Sequence, residues 1–356
     1  MRTGILINNS QNEIEIGPIR PPSEANSLLL RVTRNCSWNR CRFCGLYKGQ
    51  RFSIRPVEEI KGDIDRIVSH RSEIAKWAAG GGDSVFLQDA NTMALSYGKL
   101  REILEYLREK LPNVKRVTSY GRADSLARFS AEQMSGLKKA GLDRIHSGFE
   151  SGSDKVLALI NKGFTKEQEI EAGQKVKAAG IEFSMYYMPG VGGKALADDS
   201  AVETADVINK VNPDFVRVRT FVSIPGTGLM EDIQGGLIEE CTDAEKAAEL
   251  KKMIENVRAV DGQLCSDHMV NLFESVDGSM ETDMGKMLSV FDAFEKLDAY
   301  GRRRYQLARR FGMVRGMDDM GLLDSDQRAM VDACITQLDG EDRFEEFLLK
   351  LLRLCI

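Results

Sequence analysis

The sequence has no uninterrupted apolar run long enough to span a bilayer, and its opening, MRTGILINNSQNEIEIG, lacks the continuous apolar stretch of a secretory leader. The expectation is a cytoplasmic protein with no membrane partner. An excess of positive charge is also missing. The formal net charge of -5 argues against a general nucleic-acid binder. There is no internal repeat and no low-complexity tract. Outside one loop there is no second C-x-x-C pair either. Four of the seven cysteines, Cys241, Cys265, Cys334 and Cys355, are scattered and read as small core hydrophobes. An odd cysteine count with three thiols packed together makes a secreted disulfide framework a poor fit, and no second cluster is supported.

What is present is an ordinary globular composition, 42% hydrophobic and 29% charged over 356 residues. That length fills one large barrel-sized domain or two smaller ones. The most informative stretch is CSWNRCRFC, residues 36 to 44, which sets Cys36, Cys41 and Cys44 in the spacing C-x4-C-x2-C. Thiolates are soft ligands for zinc, copper(I) or iron-sulfur clusters, and this spacing lets one loop wrap a single metal centre. The loop supplies three ligands, whereas a structural zinc or a purely electron-carrying cluster takes four. Either a remote residue completes the set, or one metal position is open for chemistry.

The run LLLRVT (28 to 33) has the look of a buried strand and leads directly into the cysteine loop. Beyond it, helical and strand patterns alternate. Pro56 opens a helix carrying Val57, Ile60, Ile64 and Ile67, and the turn Gly80-Gly81-Gly82 enters a strand at 85 to 88. Further strands are expected at 114 to 121, 144 to 150, 182 to 188 and 215 to 222. Between them fall helices near 97 to 110, from Ser130, from Asp154, from Thr165 to Ala179, and near 199 to 210. Parallel crossovers need connections of helix length, so six such strands predict an α/β fold, a partial (β/α)6 TIM-type barrel with its chemistry at the strand ends. From about 227 the strand pattern disappears. Helices are then expected at 243 to 260, 283 to 297, 302 to 314, 325 to 336 and 341 to 354. The expected division is an N-terminal extension (1–27), a barrel core (28–235) and a C-terminal α-helical region (236–356).

With that order established, the chain resembles the radical S-adenosylmethionine enzymes over roughly residues 25 to 230. The branch it resembles includes the tRNA methylthiotransferases, the elongator catalytic subunit and the oxygen-independent coproporphyrinogen oxidases. GFESGSDKVLALINKGFT (148 to 165), YMPGVGG (187 to 193) and SIPGTGL (223 to 229) carry the likeness. The usual family spacing is C-x3-C-x2-C, so one extra residue separates Cys36 from Cys41. The resemblance implies a 4Fe-4S cluster on the three cysteines, with the fourth iron left for S-adenosylmethionine. It implies reductive cleavage of that cofactor to a 5'-deoxyadenosyl radical, which abstracts hydrogen from a substrate. It also implies an external electron donor such as a flavodoxin or ferredoxin.

Carried over residue by residue, the resemblance puts Phe43 against the adenine and places Gln88, Asp89, Ala90 and Asn91 at the end of the second strand, near the methionine amine. Gly80-Gly81-Gly82-Asp83 precedes that strand and reads as a turn. Ser119, Tyr120 and Arg122 end the third strand, and Arg122 could pair with the cofactor carboxylate. Glu150 falls near the ribose, Met188 and Gly190 near the adenine, and Ile224 and Pro225 after the sixth strand. The plainer readings remain open, in which Asp89 or Asn91 caps a helix and Arg122 holds a surface carboxylate. No catalytic residue is assigned.

Absences narrow the branch. The 27 residues before the first strand are too few for an extra N-terminal domain, Gly45 follows Cys44 where coproporphyrinogen oxidases carry another cysteine, and no acetyltransferase-sized region follows. The expectation is a single-cluster enzyme acting on a small molecule, with RNA the less favoured substrate and a non-enzymatic zinc or iron-sulfur protein the rival class. Two late stretches bear on the substrate. In CSDHMVN (265 to 271), Asp267, His268 and Asn271 would share one helical face, or Ser266 or Asp267 would cap that helix. In GRRRYQLARRFGMVR, Arg302, Arg303, Arg309 and Arg310 would form one helix face for phosphate or RNA, or a solvated face paired with Asp292, Glu295 and Asp298.

Overall fold

The computed structural model describes residues 14–338 and 340–354. The first thirteen residues of the expected N-terminal extension and Cys355 lie outside them. The chain separates into two compact units built from interleaved segments. One holds the residues up to Arg40, Leu46–Phe149 and Gly163–Met185, and the other holds Cys41–Gly45, Glu150–Lys162 and the chain from Tyr186 onward.

In chain order, β1 (Leu28–Arg31) is followed by β2 (Thr33–Arg34) and β3 (Ser53–Ile54), a short antiparallel pair that brackets the cysteine loop. α1 (Val57–Ser69) starts after Pro56 and buries Ile60, Ile64 and Ile67, the stripe expected of an amphipathic helix. A helix that the apolar spacing does not predict, α2 (Arg71–Ala79), buries Trp77 alone. Beyond the glycine turn come β4 (Ser84–Gln88), α3 (Tyr97–Lys110), β5 (Arg116–Tyr120), α4 (Ala123–Ala127) and α5 (Ala131–Lys139). Ser130 and Gln133 close the expected capping box. β6 (Arg144–Glu150), α6 (Asp154–Leu159), α7 (Lys166–Ala178), β7 (Glu182–Tyr187), α8 (Ala197–Val211) and β8 (Phe215–Val218) complete the alternation.

In the first unit β1, β4, β5 and β6 are parallel neighbours, in register at Leu28↔Val85, Val85↔Val117 and Ser119↔Ile145. The Glu182 N–H donates to the Asp143 carbonyl at 2.9 Å, so β7 begins beside β6. In the second unit the Met188 N–H reaches the Glu150 carbonyl and the Arg219 N–H reaches the Tyr187 carbonyl, each at 2.9 Å. The chain therefore has the expected α/β fold, with parallel strands in sequential order as in a partial barrel.

Helices dominate after residue 227, as expected, and two short strands interrupt them. α9 (Gly228–Gln234) and α10 (Asp243–Asn256) are followed by β9 (Gln263–Cys265) and β10 (Gly278–Ser279). β9 extends the parallel order, pairing Val216 with Leu264, and β10 lies antiparallel to it. Strands of three and two residues are too short to show a period of two in sequence. The remaining elements are α11 (Met284–Glu295), α12 (Ala299–Arg310), α13 (Ser325–Gln337) and α14 (Glu341–Arg353), close to the expected helices.

Candidate functional site

None of Cys36, Cys41 and Cys44 is in a disulfide; Cys41 is buried and the other two are half-buried. A local turn closes the longer first spacing. Asn39 takes a φ of +47°, in the left-handed region that asparagine tolerates better than most residues. Its side-chain amide donates to the carbonyls of Tyr47 at 2.6 Å and Gln50 at 3.2 Å, and its N–H lies 3.4 Å from Cys36 Sγ. Among the described residues, no three His, Cys, Asp or Glu side chains are gathered closely enough to hold a metal ion. The loop fits a cluster by donor chemistry: three soft thiols, none in a disulfide, within nine residues.

In the first unit the expected strand-end residues are tied to the chain itself. Gln88 is buried and exchanges hydrogen bonds with Gly17, accepting from its N–H at 2.9 Å and donating to its carbonyl at 3.1 Å; it also donates to the Ile19 carbonyl at 2.8 Å. Asp89 receives Arg31 at 2.8 Å, the Asn35 N–H at 3.2 Å and the Tyr47 hydroxyl. Asn35 and Tyr47 flank the cysteine loop, so Asp89 fastens both of its ends. Asn91 donates to Ser37 and Ser125, each at 2.8 Å, and accepts the Arg122 N–H at 3.1 Å. It precedes the short helical turn at 92 to 94 without capping it through its side chain. The Ser119 hydroxyl donates to the Tyr120 carbonyl at 3.0 Å. Arg122 is buried, pairs with Asp124 at 3.0 Å and lies 5.3 Å from the Trp38 ring centroid and 5.1 Å from that of Phe164.

In the second unit the segment carrying Cys41 and Cys44 is clamped on both sides. The Arg42 N–H donates to Ile160 at 2.8 Å, its carbonyl accepts from Leu229 at 2.9 Å, and its guanidinium pairs with Asp232. Phe43 packs on the cluster that includes Met188, Phe221 and Leu229. Lys162 sits 5.5 Å from the Phe43 ring centroid and 2.8 Å from Glu150, whose own φ is +70°. Ile224 is half-buried, and its carbonyl accepts the Thr227 hydroxyl at 2.7 Å. Gly190 has a φ of +88°, and a Cβ there would come within 2.7 Å of Lys246. Its N–H donates to Glu249 at 2.7 Å, as does the Tyr187 hydroxyl. Burial pushes the Glu249 carboxyl up to about 7, against the opposing pull of these donors.

Tyr47, Lys162 and Glu249 escaped the sequence reading. Lys162 is the only one with a local signal, since it falls inside the stretch carrying the family likeness. The other two reach their partners from distant parts of the chain.

Neither late stretch forms the expected face. Residues 266 to 271 are not helical, so Asp267, His268 and Asn271 share no helix face and cap none. Asn271 is buried, accepts from the Thr220 N–H at 2.9 Å and donates to the Val218 carbonyl at 2.8 Å, so the side-chain bond outcompetes helix formation. Arg309 and Arg310 are interior: Arg310 grips Asp243 through contacts of 2.6 to 2.9 Å, and Arg309 pairs with Glu274 at 2.7 Å. Asp292 and Glu295 pair with Lys251 instead.

The fold is a partial barrel of parallel strands with a three-thiol loop just past its first strand. Residues 30–205 match the family model described as the Radical SAM superfamily, so the chain carries a domain of that superfamily. Its members use a 4Fe-4S cluster to cleave S-adenosylmethionine and require a reductant. A tRNA-2-methylthio-N(6)-dimethylallyladenosine synthase from Syntrophus aciditrophicus is 26% identical over 67% of this chain and 51% of its own length. A synthase of the same name from Finegoldia magna is 30% identical over 57% of this chain and 43% of its own length. The chain thus spans about half the length of these curated relatives. Coproporphyrinogen III oxidase from Escherichia coli aligns with a TM-score of 0.48 at 17% identity, over 64% of this chain and 51% of that one. No helix among the described residues is long and apolar enough to cross a membrane.

Proposed function

We propose that Cys36, Cys41 and Cys44 hold the three-thiolate cluster and that the chain acts on a small polar substrate by hydrogen abstraction. The chemistry the cluster supplies when bound is reductive cleavage of S-adenosylmethionine to methionine and a 5'-deoxyadenosyl radical. The chain's own residues position and shield. Asp89 fastens the two ends of the cysteine loop, and Arg42 fixes its second half. Phe43 and Met188, packed in one apolar cluster, offer an apolar wall for the adenosine. Gly190 lets the Lys246 side chain pack against its turn because it carries no side chain of its own. The core at 28–235 carries this machinery, and 236–356 shapes the substrate side.

The observation that carries the reading is the three thiols of one loop, none in a disulfide, set just past the first strand of a fold whose chemistry belongs at that end. The test is anaerobic purification and reconstitution, followed by reduction with S-adenosylmethionine and assay for 5'-deoxyadenosine. The expected result is a brown protein with about four irons that releases it. A colourless protein holding one zinc, or an iron-loaded one that makes none, would overturn the reading. The names of the curated relatives favour a second reading, an RNA substrate. It requires affinity for RNA that falls steeply with salt, and a flat salt response would remove it.

A further inference from the structure

The parallel strands β7, β8 and β9 present different chemistry on their two faces. Tyr187, Val216 and Val218 are buried on the helix side, where the Tyr187 hydroxyl meets Glu249 on α10. Side chains alternate along a strand, so Tyr186, Arg217 and Arg219 project from the other face, near the carboxyl ends. Arg217 lies opposite Cys265 in register, and two residues on, Asp267 takes the Arg217 guanidinium at 3.2 Å. At the same end Glu150 is neutralised by Lys162.

Arg219 is left over. It is half-buried, its N–H is used in the backbone bond to Tyr187, and its guanidinium has no acceptor among the described residues. Tyr186 and His268 are near enough to feel its charge, and both also feel the Asp267 carboxylate that Arg217 holds. Tyr186 is held protonated, mainly by burial, and His268 is pushed down to about 4 by burial and then by Arg219. His268 is therefore neutral at physiological pH and adds no second positive charge. Its Nδ1 accepts the Val270 N–H at 3.2 Å, which assigns the ring proton to Nε2. A half-buried arginine with five donors and no carboxylate, beside a phenol and a neutral imidazole, is short of one anion. The planar fork matches a two-oxygen acceptor.

We propose that Arg219, flanked by Tyr186 and His268, is the subsite that binds an oxyanion of the substrate, a carboxylate or a phosphate. This deepens the small-substrate reading above and rests on it.

The experiment uses the full chain under anaerobic conditions, with acetate and inorganic phosphate as separate probes titrated calorimetrically at constant ionic strength. Whichever probe binds identifies the oxyanion. Arg219→Gln is expected to weaken binding about tenfold or more, with Arg219→Lys in between. Lys99→Gln, at an exposed site, should leave it unchanged. Absence of binding in wild type, or equal binding by wild type and Arg219→Gln, would overturn the proposal. A parallel titration with S-adenosylmethionine separates substrate from cofactor. Unchanged affinity in Arg219→Gln supports a substrate subsite, and a matching loss would assign the arginine to the cofactor instead and overturn the proposal. Probe binding does not depend on turnover, so a failure to make 5'-deoxyadenosine would sink the mechanism without touching this readout.

Discussion

Lys162 and Glu150 form a buried pair at 2.8 Å, and the same ammonium lies 5.5 Å from the Phe43 ring centroid. Both side chains are nearly closed to water, at 6% and 11% exposure, so removing the cation strands a buried carboxylate. Lys162→Met should cost about 3–5 kcal/mol in urea unfolding. Glu150→Gln should also destabilise, because it leaves the ammonium buried. A Lys162→Met protein as stable as wild type would mean that the pair is solvated and contributes nothing.

Asp89 is the acceptor shared by Arg31, Asn35 and Tyr47. Tyr47→Phe removes one hydrogen bond to a charged group and should cost about 1.5–3 kcal/mol. Asp89→Asn weakens all three contacts and should lower the iron retained per chain after reconstitution, because both loop ends are freed. Iron content and visible absorbance report this without any turnover. Wild-type iron loading in Asp89→Asn would refute the anchoring role.

Glu249 makes stability depend on pH with a definite sign. Its folded carboxyl titrates near 7, above the ordinary 4.5, so the native state binds more protons than the unfolded one between those values. Its contribution is fully present below about pH 4.5 and is lost as pH rises through 7, a change on the order of 3 kcal/mol. Glu249→Gln should flatten the profile between pH 5 and 8 in denaturant titrations. An unchanged slope in the variant would place the titration elsewhere.

Arg310 and Asp243 are 1% and 2% exposed in their side chains. Arg310→Met should therefore destabilise by about 3–5 kcal/mol while leaving any affinity for RNA untouched. Weaker RNA binding with stability intact would restore the basic-face reading of α12.

Strands such as β1 and β4 were legible because buried parallel strands of four or five residues leave apolar runs bounded by turns. The capping box at Ser130 was legible because its two partners lie within three residues of one another. β9 and β10 were too short to leave a pattern. The arginines of α12 misled for a different reason. Spacing reports which side chains share a face, whereas Asp243, Glu274 and the carbonyls near residue 270 decided that Arg309 and Arg310 point inward.

By itself the sequence determined the parallel α/β order and the three thiols of one loop, because periodicity and ligand spacing act over short stretches of chain. Only the tertiary structure decided that Gln88, Asp89 and Asn91 spend their polar atoms on the chain itself, that Lys162 answers Glu150, and that Arg219 is left without an anion. Those outcomes depend on which distant groups share a buried volume, where each charge must find a partner or stay exposed to a ligand.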